Sequence, residues 1–86
     1  MSSNINAYKY IRTADGFFIW PESSQIWHKH MAEWVTARTR RTVISAGFAY
    51  ATSDGFTCFG ESESLGIQSA KEDSALLNRQ INIEMN

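Results

Sequence analysis

Cysteine is nearly absent. Cys58 stands alone among 86 residues, which excludes an internal disulfide framework and fits a reducing cytoplasm better than an oxidising compartment. Net charge is nearly absent too. Eight basic and nine acidic side chains leave −1 at pH 7, too little to draw the whole molecule toward nucleic acid or an anionic membrane. Long apolar runs are missing: none approaches the roughly 18 residues that a membrane-spanning helix needs. The opening "MSSNINAYKY" has neither a basic n-region nor an apolar h-region, so no signal peptide is expected. Residues 1–6 read as the frayed end of a single domain covering 1–86.

Catalytic motifs are missing as well. Histidines two apart on a helix, such as His28 and His30, point about 200° from each other and cannot share a metal ion. Cys58 sits between Thr57 and Phe59 with nothing to activate it as a nucleophile, and reads as a small buried side chain. The carboxylates Glu61, Glu63, Glu72 and Asp73 do not follow EF-hand spacing. The expectation is no enzyme, no metal and no cofactor.

What is present is a repeat. "TADGFFIWPES" (residues 13–23) and "TSDGFTCFGES" (52–62) agree at Thr, Asp, Gly, Phe, Glu and Ser. Each Asp-Gly lies between runs rich in aromatic and β-branched residues, "AYKYIRT" before "FFIW" and "VISAGFAYA" before "FTCF". That pattern signals a hairpin, here expected to turn through a type I′ pair with Asp-Gly at its centre. Gly47 inside a strand implies a bulge or the close approach of another backbone.

A helix follows each hairpin. The first is expected over 22–36, opened by Pro21 and Glu22, with an apolar stripe of Ile26, Trp27, Met31, Trp34 and Val35. On it His30 is expected half-buried and His28 exposed. After a polar loop, "GESESLGI", the second is expected over 70–83. Ser69 and Glu72 would form its capping box, and Leu77, Ile81 and Met85, with Leu76 and Ile83 alongside, its stripe. The fold class is therefore α+β in the order ββα–ββα: a four-stranded, mostly antiparallel sheet with two helices on one face. The other face is left wet or partnered.

Aromatics make up 13% of the chain, enough to fill a small core and leave some for an interface. Trp20, Trp27 and Trp34 recur every seven residues. They are either core or an exposed stripe with Met31 between, and Trp is enriched where interfaces are strongest. The loop carboxylates Glu61 and Glu63 suit a basic patch on a protein partner. Arg38, Arg40 and Arg41 form the one basic cluster. They either cap the first helix and pair with nearby acids or, converging with Lys9 and Arg12, contact nucleic acid phosphates.

The stretch "CFGESESLGIQSAKEDSALL" (58–77) resembles the C-terminal part of small uncharacterised proteins encoded by bacteriophages and prophages, in which a strand, a polar Gly-Glu-Ser loop and a helix opened by an acidic pair follow one another. The resemblance implies an accessory product in the bacterial cytoplasm that acts by binding, inhibiting a host or defence protein or sequestering a nucleotide signal. The leading expectation is thus a non-enzymatic binding protein using Trp27, Met31, Trp34, Glu61 and Glu63, with a homodimer covering the open sheet face or the first helix. The alternatives are a nucleic-acid module through Arg38, Arg40 and Arg41, and an oligomer that holds a nucleotide. An uncovered edge strand would be open to β-augmentation.

Overall fold

A computed structural model describes residues 7–22, 25–53 and 55–85, with side chains as far as Asn82. The expected frayed end at 1–6, Asp54 of the second turn, and the side chains of Ile83 and Met85 lie outside the described residues. Four strands, β1 (Ala7–Thr13), β2 (Gly16–Pro21), β3 (Ser45–Thr52) and β4 (Gly55–Phe59), form one sheet in the order β2-β1-β3-β4. Every neighbouring pair is antiparallel. Helix α1 (His28–Thr39) joins the hairpins. A small hairpin, β5 (Glu61–Ser62) with β6 (Ile67–Gln68), stands where a plain polar loop was expected, and α2 (Asp73–Met85) closes the chain. None of the described helices is long and apolar enough to cross a membrane.

The α+β class and the ββα–ββα order hold, but the helices cover opposite faces rather than one. Successive residues of a strand point to opposite sides, and in the central strand β1 both Tyr10 and its neighbour Ile11 are fully buried. Ile11 packs with Met31, Ala32, Val35 and Ala46 under α1, while Tyr10 packs with Phe17, Ala49 and Leu77 under α2. A central strand that is apolar on both sides needs a cover on each. The face expected to stay open therefore carries a helix, and with it goes the argument that a second copy must cover that face.

Pro21 is in β2, paired with Tyr8, and does not open α1. Edge strands tolerate proline because its missing N–H points outward. The helix therefore begins at His28, not at residue 22, after Trp27 as an N-cap without a side-chain cap bond. Its buried stripe becomes His28, Met31, Ala32 and Val35, i, i+3, i+4 and i+7. The expected states of the histidines are thereby reversed, with His28 buried and His30 exposed. Arg40 ends the helix in the left-handed conformation, φ 60°, its N–H bonded to Thr36 O.

In α2 the expected Ser69–Glu72 box is displaced by one residue. Asp73, not Glu72, reaches back to accept from the Ala70 N–H at 2.9 Å. The same carboxylate accepts from the Tyr10 hydroxyl on β1 and from Arg12 Nη1 at 2.9 Å. Gly47 has the expected close neighbour, since a Cβ there would lie 2.6 Å from the Phe59 carbonyl. The outer edge of β4 is not open: Asn78 brackets the N–H and C=O of Phe56, and Ser74 accepts from the Cys58 N–H.

Candidate functional site: an aromatic cleft

Helix α1 covers the Ile11 and Ala46 end of its sheet face and stops short of the other end. There the alternation that buries Ala46 brings up Phe48 and Tyr50 on β3, and Phe59, which pairs with Phe48 on β4. The rings form a continuous set. Phe48 and Phe59 lie 6.0 Å apart and tilted by 31°, Tyr50 meets Phe59 edge-on at 5.8 Å, and the His28 ring stands at 90° on Phe48 at 5.3 Å. Offset and edge-on arrangements are those that aromatic quadrupoles favour.

After Phe59 the chain turns through Gly60, φ 78°. A side chain there would meet the Phe48 ring at 3.3 Å, so glycine lets the chain pass close over that ring. The β5–β6 hairpin then rises opposite the start of α1. Ser64 Oγ accepts from the Lys29 N–H at 3.2 Å and ties the hairpin to the helix. The buried Ser62 hydroxyl accepts from the Leu65 N–H and holds the loop in shape. Between hairpin and helix lies a cleft of about 790 Å³ whose lining includes Trp27, His28, Phe48, Phe59, Glu61 and Glu63. Trp27 is 61% exposed and Phe59 44%, so its aromatic wall faces solvent.

His28 is structural here. Its Nε2 lies 2.7 Å from the Gly47 carbonyl. A carbonyl only accepts, so Nε2 carries the proton. Burial lowers the pKa of the ring, the bond to Gly47 opposes this and the nearby Lys9 ammonium adds to it; the net shift is downward and the ring is neutral at pH 7. Lys9 also borders the cleft, and its Nζ donates to the Ile26 carbonyl. Two exposed carboxylates therefore share the cleft with one ammonium.

The second polar cluster is closed. Asp73 and Tyr10 are both 0% exposed, and Arg12 spans Asp73 and Glu72. Burial pushes the Asp73 carboxyl up, but hydrogen bonds from Tyr10, the Ala70 amide and Arg12 outweigh it and hold the pKa below the usual value. Burial raises Tyr10 well above an ordinary phenol, and the Asp73 carboxylate raises it further. These groups fasten α2 to β1 and offer nothing to a substrate. The half-buried Cys58 thiol is pushed up to about 11, chiefly by burial, and stays protonated at neutral pH. No three metal-binding side chains cluster among the described residues.

Of the residues singled out in the sequence, the structure brings Trp27, Glu61 and Glu63 into one cleft. It does not bring Met31, which is fully buried in the core and cannot belong to an exposed surface. Trp34 lies elsewhere, edge-on to Trp20 at 5.9 Å and under the Arg38 guanidinium at 4.0 Å. The basic cluster does not converge. Arg38 is stacked on Trp34, Arg40 supplies a backbone cap, and Arg41 pairs with Asp15 at 3.1 Å. Lys9 and Arg12, three apart on β1, point to opposite faces. The missed residues are His28, Phe48 and Phe59. Phe48 and Phe59 follow from counting outward from the second hairpin turn, since Thr52 pairs with Gly55 and Phe48 with Phe59. Set against known protein families, curated proteins and solved structures, the chain matches none of them.

Proposed function

We propose that the protein is a non-enzymatic binding protein that seats a segment of a protein partner in the aromatic cleft. One observation carries this reading: a solvent-facing wall of Trp27, Phe48 and Phe59 lines a cleft of about 790 Å³. Concave apolar sites with a few placed polar groups are where ligands lodge. Large aromatic side chains supply contact area at low entropic cost, and they concentrate binding energy. The two bases at the cleft favour binding over catalysis: His28 is held by Gly47, and Lys9 by Ile26. The likeness of residues 58–77 to phage-encoded accessory proteins agrees with a cytoplasmic protein that works by occupying a host or defence factor.

The test is selection of a random peptide library on the immobilised chain, with the Trp27→Ala/Phe59→Ala variant as counter-selection. Both side chains are exposed, so the variant keeps its fold, which circular dichroism verifies. Peptides with an apolar or aromatic anchor are expected to emerge and to lose binding to the variant. A selection that yields no peptide dependent on these two residues overturns the reading.

A further inference from the structure

The cleft combines two features that separately select different ligands. Its wall is a set of aromatic faces, Trp27, Phe48 and Phe59, and its hairpin side carries Glu61 and Glu63, both exposed. An apolar anchor uses the first feature and leaves the second idle. A phosphate or an acidic peptide would meet two carboxylates at close quarters. The neutral His28 offers no cation, and the single Lys9 ammonium, which donates to the Ile26 carbonyl, offsets only one of the two carboxylates. A cation satisfies both features. Among side-chain cations the guanidinium suits them best. It is planar, weakly hydrated, stacks on rings, and offers paired N–H donors to a carboxylate. Lysine presents a strongly hydrated point charge with no flat face.

Resting on the reading of the cleft as a partner-binding site, we infer that its occupant is an arginine side chain on the partner segment, stacked on the aromatic wall and bonded to Glu61 or Glu63. The molecule makes this arrangement once in full within itself, at Arg12, and makes the ring stack alone at Arg38. Arg38 lies 4.0 Å over the Trp34 ring, and Arg12 lies 6.0 Å from the Phe17 ring while bonded to Glu72 and Asp73. In the cleft, rings and two carboxylates are present against the single Lys9 ammonium, so one negative charge is left for a partner's cation to meet. The partner segment is therefore basic and carries an arginine beside its apolar anchor.

The experiment uses a family of synthetic pentapeptides with a fixed central leucine. The neighbouring position is arginine, lysine, citrulline or glutamate, and binding is followed by amide chemical-shift changes in the full chain. Citrulline keeps the shape of arginine and removes the charge. The arginine peptide is expected to shift the amides of Trp27, Phe48, Phe59 and Glu61, and to bind about ten-fold more tightly than the citrulline peptide, with lysine between. Glu61→Gln/Glu63→Gln, two exposed changes, is expected to erase that preference and leave the fold intact. Equal affinity of the four peptides at the same cleft amides overturns the inference and leaves the binding reading standing. Absence of any shift at those amides, at millimolar peptide, overturns both.

Discussion

The Asp-Gly-Phe that the chain spells twice has one physical explanation at both places. Gly16 has φ 133° and Gly55 φ 130°, a conformation that side-chain-bearing residues rarely adopt. The turn is not the expected type I′, because Ala14 and Asp15 hold its centre at negative φ and the positive φ falls on the glycine that follows. A Cβ on Gly16 would lie 2.5 Å from the Gln80 amide oxygen, and one on Gly55 2.5 Å from that of Asn78. Those two amides bracket the outward N–H and C=O of Phe17 and Phe56. Each glycine makes room for an α2 amide that closes the free edge of its hairpin. Gly55→Ala is therefore expected to cost roughly 1–3 kcal/mol from backbone strain together with the clash. Asn78→Ala is expected to cost about 1–2 kcal/mol by leaving backbone groups unpaired. The double variant is expected to lose less than the sum, because the clash needs both residues. Urea unfolding of the four proteins reads the cycle, and strict additivity would refute the coupling.

At the scale of elements, the tryptophan spacing and the helix register part company. Residues 27, 31 and 34 look like one stripe in the sequence. The helix, starting at His28, puts Met31 in the core and leaves Trp27 and Trp34 on its solvent side. Met31→Ala is expected to destabilise by roughly 2–5 kcal/mol, as a large-to-small change in a packed core. Trp34→Ala, at 44% exposed, is expected to cost under about 1.5 kcal/mol, for its contacts with Trp20 and Arg38. Thermal melts of the two variants rank them, and a larger loss at Trp34 would contradict this register. The hairpins were legible because turn chemistry is local: Asp-Gly and the flanking aromatics specify them without help from the rest of the chain. The start of α1 was not, because Pro21 suits both a helix opening and an edge strand, and only the pairing with Tyr8 decides. Glu61 and Glu63 were legible as chemistry-bearing loop side chains, and Trp27 as core or interface, with only the helix register deciding that it is exposed. Phe48 and Phe59 were not, because a phenylalanine on a strand gives no sign of whether a helix will cover it.

For the whole molecule, the division of the core matters most. One apolar cluster lies under α1 and another under α2, separated by the sheet. Neither is large, and a domain of this size has little stability to spare. What couples the layers is β1, which sends Ile11 to one side and Tyr10 and Arg12 to the other. Tyr10 and Arg12 meet Asp73 at the start of α2, more than 60 positions away in the chain. Because the Asp73 pKa is lowered on folding, its contribution is fully present above the unfolded carboxyl value near ~3.9. It is lost as pH falls through that value toward the folded one. Asp73→Asn removes the buried charge that Tyr10 and Arg12 are built around. It is expected to cost roughly 3 kcal/mol at pH 7 and to flatten the loss of stability on the acid side. The three tryptophans give a readout from the far layer. Trp20 and Trp34 pack on the α1 side and Trp27 opens that helix, so their fluorescence does not report the α2 layer directly. If the sheet couples the layers, tryptophan fluorescence and far-ultraviolet circular dichroism trace a single acid transition. Asp73→Asn then shifts both probes together, although no tryptophan touches it. A variant in which helicity falls while the fluorescence transition stays at its wild-type pH would show that the α2 layer unfolds on its own, and that β1 does not bind the two halves into one cooperative unit.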